Sequence, residues 1–338
     1  MKPRLLIVEL HHLGDAVMSL PFARGASGRY EVHALCRPGA DAVYQMLERP
    51  PVLHAWEPPW GDDAPCSARA AIEAARTQGR VLRPLAFEAA VCAWADARAG
   101  ILLAETRASR RVGFPMTRAN YYAADLPWRR RRLLLGRVLQ GVWRALHPRV
   151  PMLTDPLNRV APNHAHIRCW EQISDALGVA CDYSTPWAQA LPLPHEDISA
   201  FAREARNRGL QVLAIHPHAR LPGKQWPLAQ WRQLLSLPEV TARFAVMEIL
   251  PPGAEPLELP SGIVARTPNV ASLASALGAA DAVLCHDSLP SHLGAALGKP
   301  VVAIFGSGEP DWFAPWRNRE RVVQRRVCPL HPCIDRCG

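Results

Sequence analysis

AVLCHDSLPSHLGAALGKPVVAIFGS, residues 282–307, is the stretch on which the fold turns. Ala282 to Cys285 is a short apolar run of the kind that forms a buried parallel strand, and the polar cluster His286-Asp287-Ser288 ends it. Leu293 to Leu297 reads as a helical segment of small residues, stopped by Gly298-Lys299-Pro300, and Val301 to Phe305 as a second buried strand. Strand, turn, short helix and strand make half of a doubly wound α/β unit. Ligands in such sheets sit beyond the carboxyl ends of strands, near helix N-termini whose free N–H groups carry partial positive charge. Asp287, Ser288, Ser291 and His292 surround such a terminus, which suits a phosphate or diphosphate. A plainer alternative is that Asp287 or Ser288 caps the helix. The local sequence leaves both open.

The same grammar opens the chain. Arg4 to Leu10 is an apolar run, His11-His12-Leu13-Gly14-Asp15 follows, and AVMSLPFARGAS continues as a helix. The turn is not G-x-G-x-x-G, so a dinucleotide fingerprint is absent. Tyr30 to Cys36, Val52 to Trp56 and Phe87 to Trp94 read as further strands, with helices over Gly39 to Glu48 and from Pro65 to about Arg76. His164 to Gly178 reads as a helix, and the Pro-rich, aperiodic stretch from Asp182 to Pro194 as the region between two domains. A second domain follows, with a helix from Glu196 to Arg208 and strands over Gln211 to His216 and Ala242 to Leu250.

The 338 residues are enough for two domains with proper cores. No apolar run reaches membrane-spanning length and no secretory signal precedes the first strand, so a cytoplasmic protein is expected. The net charge of +9 points to an anionic partner. Nine cysteines scattered along such a chain argue against a disulfide framework. Trp128 to Arg149, WRRRRLLLGRVLQGVWRALHPR, concentrates the charge: Arg129, Arg130, Arg131 and Arg132 precede Leu135, Val138 or Leu139, Val142 and Leu146 at helical spacing. A basic amphipathic helix of this kind lies on an anionic membrane surface or grips an acidic acceptor, or else packs its stripe on the domain and leaves its arginines solvated. No nucleic-acid module accompanies it, so no nucleic acid is expected as a partner.

HDSLPSHLGAALGKPVVAIFG resembles the nucleotide-sugar motif of the ADP-heptose lipopolysaccharide heptosyltransferases, glycosyltransferase family 9, whose usual form is N-D-T-G-x-x-H-L-A-A-A-L-G-K-P-V-V-A-L-F-G. Asp287 and His292 match, Ser288 stands for Thr and keeps the hydroxyl, and Leu289 stands where Gly is usual. Gly14, Asp15 and Pro21 fall in register with the family's opening I-G-D-x-x-x-x-x-P, and HPHARLPGKQWPLAQWRQLL resembles its H-P-G-A-x-x-x-x-K-x-W-P segment, with His218 where Gly is common. Arg107 to Phe114 resembles the family strand A-x-x-R-I-G-F, and Pro251 to Glu255 its W-G-x-x-E loop.

The resemblance implies the fold, α/β of the GT-B type, with two Rossmann-like domains facing across a cleft. Residues 1–182 would bind the acceptor and 195–338 the nucleotide-sugar. It implies inverting, metal-independent transfer of a heptose or similar sugar from an ADP-sugar to a hydroxyl of a lipopolysaccharide core acceptor, an anionic glycolipid met at the inner membrane surface. Asp15 would be the general base that deprotonates that hydroxyl. The donor site would comprise His218, Lys224, Glu255, Asp287, Ser288, Leu289, Ser291 and His292, with Lys224 on the diphosphate. Arg129 to Arg132 would meet the acceptor. No cofactor is implied, and no D-x-D sequence offers a metal-held diphosphate. Two other readings stand beside this one: the same chemistry on a protein or a small natural product, and a family-like fold that binds nucleotide or membrane without catalysis. The tail RRVCPLHPCIDRCG resembles the family's Cys-containing ending, and Cys328, Cys333 and Cys337 are the residues a metal would use there. Their C-x4-C-x3-C spacing is not that of a paired zinc site.

Overall fold

The computed structural model describes residues 2–60, 66–121, 127–160, 163–184, 186–188, 196–259, 262–326, 328, 331 and 333; of 127–129 it describes the backbone alone. The chain divides into two units, Met1–Tyr183 and Ser184–Gly338. The division falls inside the Pro-rich stretch, because residues on its two sides are pinned to different halves. Tyr183 Oη donates to the Met18 carbonyl at 2.7 Å, whereas Trp187 N donates to the Ala296 carbonyl at 3.0 Å.

Unit 1 holds β1 (Arg4–Glu9), β2 (Glu31–Cys36), β3 (Val52–Ala55), β4 (Ala89–Cys92), β5 (Arg110–Gly113) and β6 (Asp155–Pro156) in the order β3-β2-β1-β4-β5-β6. Unit 2 holds β7 (Gln211–His216), β8 (Phe244–Leu250), β9 (Ile263–Arg266), β10 (Ala282–His286), β11 (Val301–Phe305) and β12 (Val322–Gln324) in the order β12-β11-β10-β7-β8-β9. Every pairing is parallel, in register Leu5–Val32 and Leu5–Ala89 in the first sheet and Val283–Val301 and Ala282–Leu213 in the second. The two orders are the same when each half is counted from its own first strand, and both are doubly wound. The central strands, β1 and β10 among them, are buried on both faces, which is why they read as continuous apolar runs rather than alternating ones. The winding direction reverses between β1 and β4 in one unit and between β7 and β10 in the other. Beyond the carboxyl ends of those strands the connecting loops diverge and leave room for a ligand.

Two sequence expectations are corrected and one open alternative is resolved. The helix after β10 runs Leu289–Ala296, not Leu293 to Leu297; Pro290 sits in its first turn, where a missing N–H costs nothing. The helix expected over Gly39 to Glu48 is only Asp41–Tyr44. The Arg-rich helix is Pro127–Leu146, and of the two directions the sequence left open for its stripe it takes the outward one, with Leu133, Gly136 and Trp143 on the buried side. Leu135, Val138, Val142 and Leu146 are 46 % to 70 % exposed. Leu133, Gly136 and Trp143 recur at helical spacing too, and periodicity alone does not choose between two apolar faces.

Some of the positive charge is internal. Arg76, Arg80 and Arg83 converge on the buried Glu105 carboxylate, and buried Arg111 donates to the Met152, Ala108 and Pro151 carbonyls. These arginines serve the fold, so the exposed ones on the Pro127–Leu146 helix carry more of any outward attraction.

Candidate functional site

In unit 1 the chain leaves β1 at Glu9, turns through Leu10 to His12, and enters the helix Leu13–Ala26. Asp15 is not the N-cap of that helix. His12 holds that place, and Asp15 reaches back so that Oδ2 accepts from His12 N at 2.9 Å. This half of a capping box fixes the carboxylate and leaves Oδ1 turned elsewhere. It faces His166 Nε2 at 3.9 Å, on the helix Ala165–Leu177. The same nitrogen lies 3.7 Å from Glu9 Oε2. The other Glu9 oxygen accepts from His11 N at 3.2 Å.

All three groups are buried. Burial disfavours the charged form of each. It pushes the Glu9 carboxyl up to about 8, against a backbone hydrogen bond from His11. It raises Asp15 as well, with Glu9 adding to the rise and His166 and His12 opposing it. His166 is lowered by burial and lifted back in part by Asp15. The Trp94 indole stacks on the His166 ring with centroids 4.6 Å apart, and His11 lies against the same indole at 4.6 Å. Burial holds His11 near 3. Behind it, burial pushes Asp96 up, but its bidentate pair with Arg98 prevails and brings it down to about 2.

In unit 2 three loops converge at the ends of β7, β10 and β11. Lys224, in a single helical turn after β7, donates to Asp287 Oδ2 at 2.8 Å and to the Asp287 carbonyl at 3.3 Å. A Cβ at Gly308 would run into the Asp287 carboxylate, and one at Gly306 would run into the Gly223 carbonyl. Only glycine permits this closeness. Ser288 is the N-cap of the helix Leu289–Ala296, but its hydroxyl donates to the His286 carbonyl at 3.3 Å, and it makes no side-chain cap. With Asp287 turned to Lys224, neither residue caps the helix. Ser291 Oγ donates to the Ser288 carbonyl at 2.8 Å, and His292 is buried on the next position. Leu289 has negative φ, so its backbone does not call for glycine. His286 is neutral, since burial lowers it to about 4, and its Nε2 accepts from Trp226 N at 2.8 Å.

The structure brings Lys224, Asp287, Ser288, Leu289 and Ser291 to one strand-end cluster. His218 lies on the same loop as Lys224, its Nε2 4.0 Å from Glu248 Oε1. Glu255 is exposed, two residues before Leu257, whose N–H donates to both Glu248 oxygens at 3.0 Å. Sequence reasoning passed over Glu9, His166, Trp94 and Glu248. The signal for the two acids was present: each is a lone carboxylate in an otherwise apolar strand, RLLIVE and FAVMEIL. Arg130, Arg131 and Arg132 are exposed on the Pro127–Leu146 helix, and the Arg129 side chain lies outside the described residues. Cys328 and Cys333 are in no disulfide, Cys337 lies outside the described residues, and among the described residues no three His, Cys, Asp or Glu side chains could hold a metal ion.

Residues 172–336 match the model of glycosyltransferase family 9 (heptosyltransferase). Over those residues the chain is similar to the family 9 heptosyltransferases. The glycosyl transferase family 9 structure from Veillonella parvula DSM 2008 superposes with a TM-score of 0.65 at 16% identity, covering 97% of this chain and 88% of that one. E. coli heptosyltransferase WaaC with ADP gives 0.62 at 16% identity over 97% and 95%. E. coli ADP-heptose lps heptosyltransferase II gives 0.56 at 16% identity over 97% and 91%. No curated protein matches at the level of sequence. The fold is therefore GT-B, with two Rossmann-like α/β domains, and the match over residues 172–336 supports a glycosyltransferase.

Proposed function

We propose that this protein transfers a heptose or similar sugar, with inversion and without a metal, from an ADP-sugar to a hydroxyl of an anionic core glycolipid. The observation that carries the reading is the Lys224–Asp287 pair beside an uncapped helix N-terminus at the unit 2 switch point. An ammonium and first-turn amides are the positive charge a departing nucleoside diphosphate needs. The E. coli relative WaaC carries ADP in its structure. In unit 1, Asp15 stands at the matching switch point with one oxygen fixed and its proton affinity raised by burial. That suits a general base, whose affinity for a proton should approach the working pH.

Two features support a glycolipid acceptor. A hollow at the carboxyl ends of β4 and β5 is lined by Trp94, Asp96, Phe114, Gln140, Trp143 and Arg144, a mixture of aromatic faces and polar groups suited to a saccharide. The Pro127–Leu146 helix also turns its apolar stripe outward beside Arg130, Arg131 and Arg137. This combination suits an anionic lipid surface. Among the described residues no helix is long and apolar enough to cross a membrane.

Incubation with ADP-, UDP- and GDP-sugars and a panel of glycolipid, peptide and small-molecule acceptors, read by mass spectrometry, tests the reading. A mass increment of one heptose on the glycolipid, from the ADP-sugar and in EDTA, is expected. Transfer to peptide or small molecule alone would replace the acceptor, and nucleotide binding with no transfer to anything would overturn the reading.

A further inference from the structure

Three ionisable groups at the unit 1 switch point come from three elements. Glu9 ends β1, Asp15 lies in the first turn of the helix Leu13–Ala26, and His166 lies on the helix Ala165–Leu177. Among the described residues, Glu9 Oε2 and both ring nitrogens of His166 are buried without a hydrogen-bond partner. Buried polar atoms are nearly always paired, so this concentration of exceptions asks for a function. The atoms are not scattered. His166 Nε2 lies 3.7 Å from one carboxylate and 3.9 Å from the other, so a small movement closes either hydrogen bond. The ring plane is held by Trp94 at 4.6 Å and by the edge of Trp170 at 6.3 Å.

We infer that Glu9 and His166 are positioning residues for Asp15, which together set how tightly its Oδ1 holds a proton. The inference rests on Asp15 being the general base. In that step the acceptor O–H breaks and its proton passes to Asp15 Oδ1. The oxygen's electron pair forms the new bond to the anomeric carbon, and the bond to the diphosphate breaks with its pair leaving on phosphate. Asp15 must be ionised before the step and protonated after it. An imidazole N–H aimed at Oδ1 favours the ionised state, and a negative Glu9 beside it favours the protonated one. One nitrogen placed between two carboxylates balances these demands. The other groups facing the cluster are few. His12 opposes protonation of Asp15 from the turn. His11 faces Asp96 and Arg98, and Glu9 faces Cys36, Tyr44 and Cys92, which burial keeps uncharged.

The two residues should therefore act on Asp15 in opposite directions, which support of the fold alone would not produce. The test is a magnetic-resonance titration of the Asp15 carboxyl carbon in the full chain with isotopically labelled aspartate, assigned with Asp15→Asn. In the wild type the midpoint should lie above the ordinary carboxylate range, with a second inflection near pH 8 as Glu9 ionises. His166→Gln should raise the midpoint by about one unit, and Glu9→Gln should lower it and remove the second inflection. The acid limb of kcat/KM should move with the midpoint in each variant. A single wild-type midpoint at the ordinary value, or displacement of the same sign in both variants, overturns the inference. The wild-type titration needs no variant to fold. Loss of turnover in Asp15→Asn with an ordinary wild-type midpoint keeps the base and removes the cluster. Normal turnover in Asp15→Asn removes the base, and the cluster's purpose with it.

Discussion

The two switch points share a topology and treat charge in opposite ways. At the end of β7 and β10, a carboxylate is matched at 2.8 Å by an ammonium and kept there by two glycines. At the end of β1, two carboxylates share a buried imidazole that reaches neither within hydrogen-bond distance. A matched pair holds its cation in place, where the proposed reading puts the incoming diphosphate. An unmatched buried carboxylate is a stronger base than one in water. On the proposed reading one backbone arrangement serves recognition in one half and proton transfer in the other, and the side chains at the strand ends decide which.

The largest effect should separate the halves outright. Asp15→Asn should lower kcat about a hundredfold or more while donor affinity by calorimetry stays within twofold of wild type. A parallel loss of donor affinity would mean that the two switch points are not divided as described. Next in size, Lys224→Ala should weaken the donor about tenfold and leave the buried Asp287 carboxylate unpaired, at a cost of about 2 kcal/mol in urea unfolding. The double variant Lys224→Ala/Asp287→Ala should regain part of that stability but none of the affinity. Full recovery of both would show the pair to be structural only.

A smaller effect is in pH. Glu9 holds its proton in the folded chain up to about 8, against 4.5 ordinarily. Between those values the folded state binds more protons than the unfolded, so this group's contribution is full below about pH 4.5 and is lost as pH rises through 8. Gln does not titrate. The Tm difference between Glu9→Gln and wild type should therefore move in the variant's favour between pH 5 and pH 8; a constant difference would remove the unmatched carboxylate from the comparison. Smallest in stability is the outward stripe. Leu135→Ser, Val138→Ser and Val142→Ser together should leave Tm nearly unchanged but reduce binding to anionic vesicles several-fold. A large fall in Tm would mean that the stripe is packed.

Most of the architecture was legible because parallel strands buried on both faces leave a plain apolar signature, and RLLIVE and AVLCH needed no context. The unit 2 cluster was legible as a cluster through the run from Asp287 to Gly306, since one strand–helix–strand unit carries those residues together. Less of the unit 1 site was legible. Asp15 stood in a motif, but His166 belongs to a helix far along the chain, and no local pattern announces that its ring comes to lie on Trp94. The meeting of Lys224 with Asp287 was hidden for the same reason. Both had been assigned to the ligand, and their pairing with each other is a tertiary fact. The direction of the Arg-rich helix stayed open in the sequence because its two apolar faces compete, and only Trp143 and Leu133 packed inward settle which one the domain takes.

The outward stripe also has a consequence for the protein in solution. Copies bearing +9 repel one another at low ionic strength, and that repulsion keeps the stripes of neighbouring molecules apart. Added salt shortens the reach of the repulsion to about 8 Å at physiological strength, while the attraction between apolar surfaces persists. Salt therefore acts on this helix in two opposite senses: it weakens any attraction to an anionic surface and lets the molecules adhere to each other. A dispersed preparation is expected at low salt or with a mild detergent covering Leu135, Val138, Val142 and Leu146.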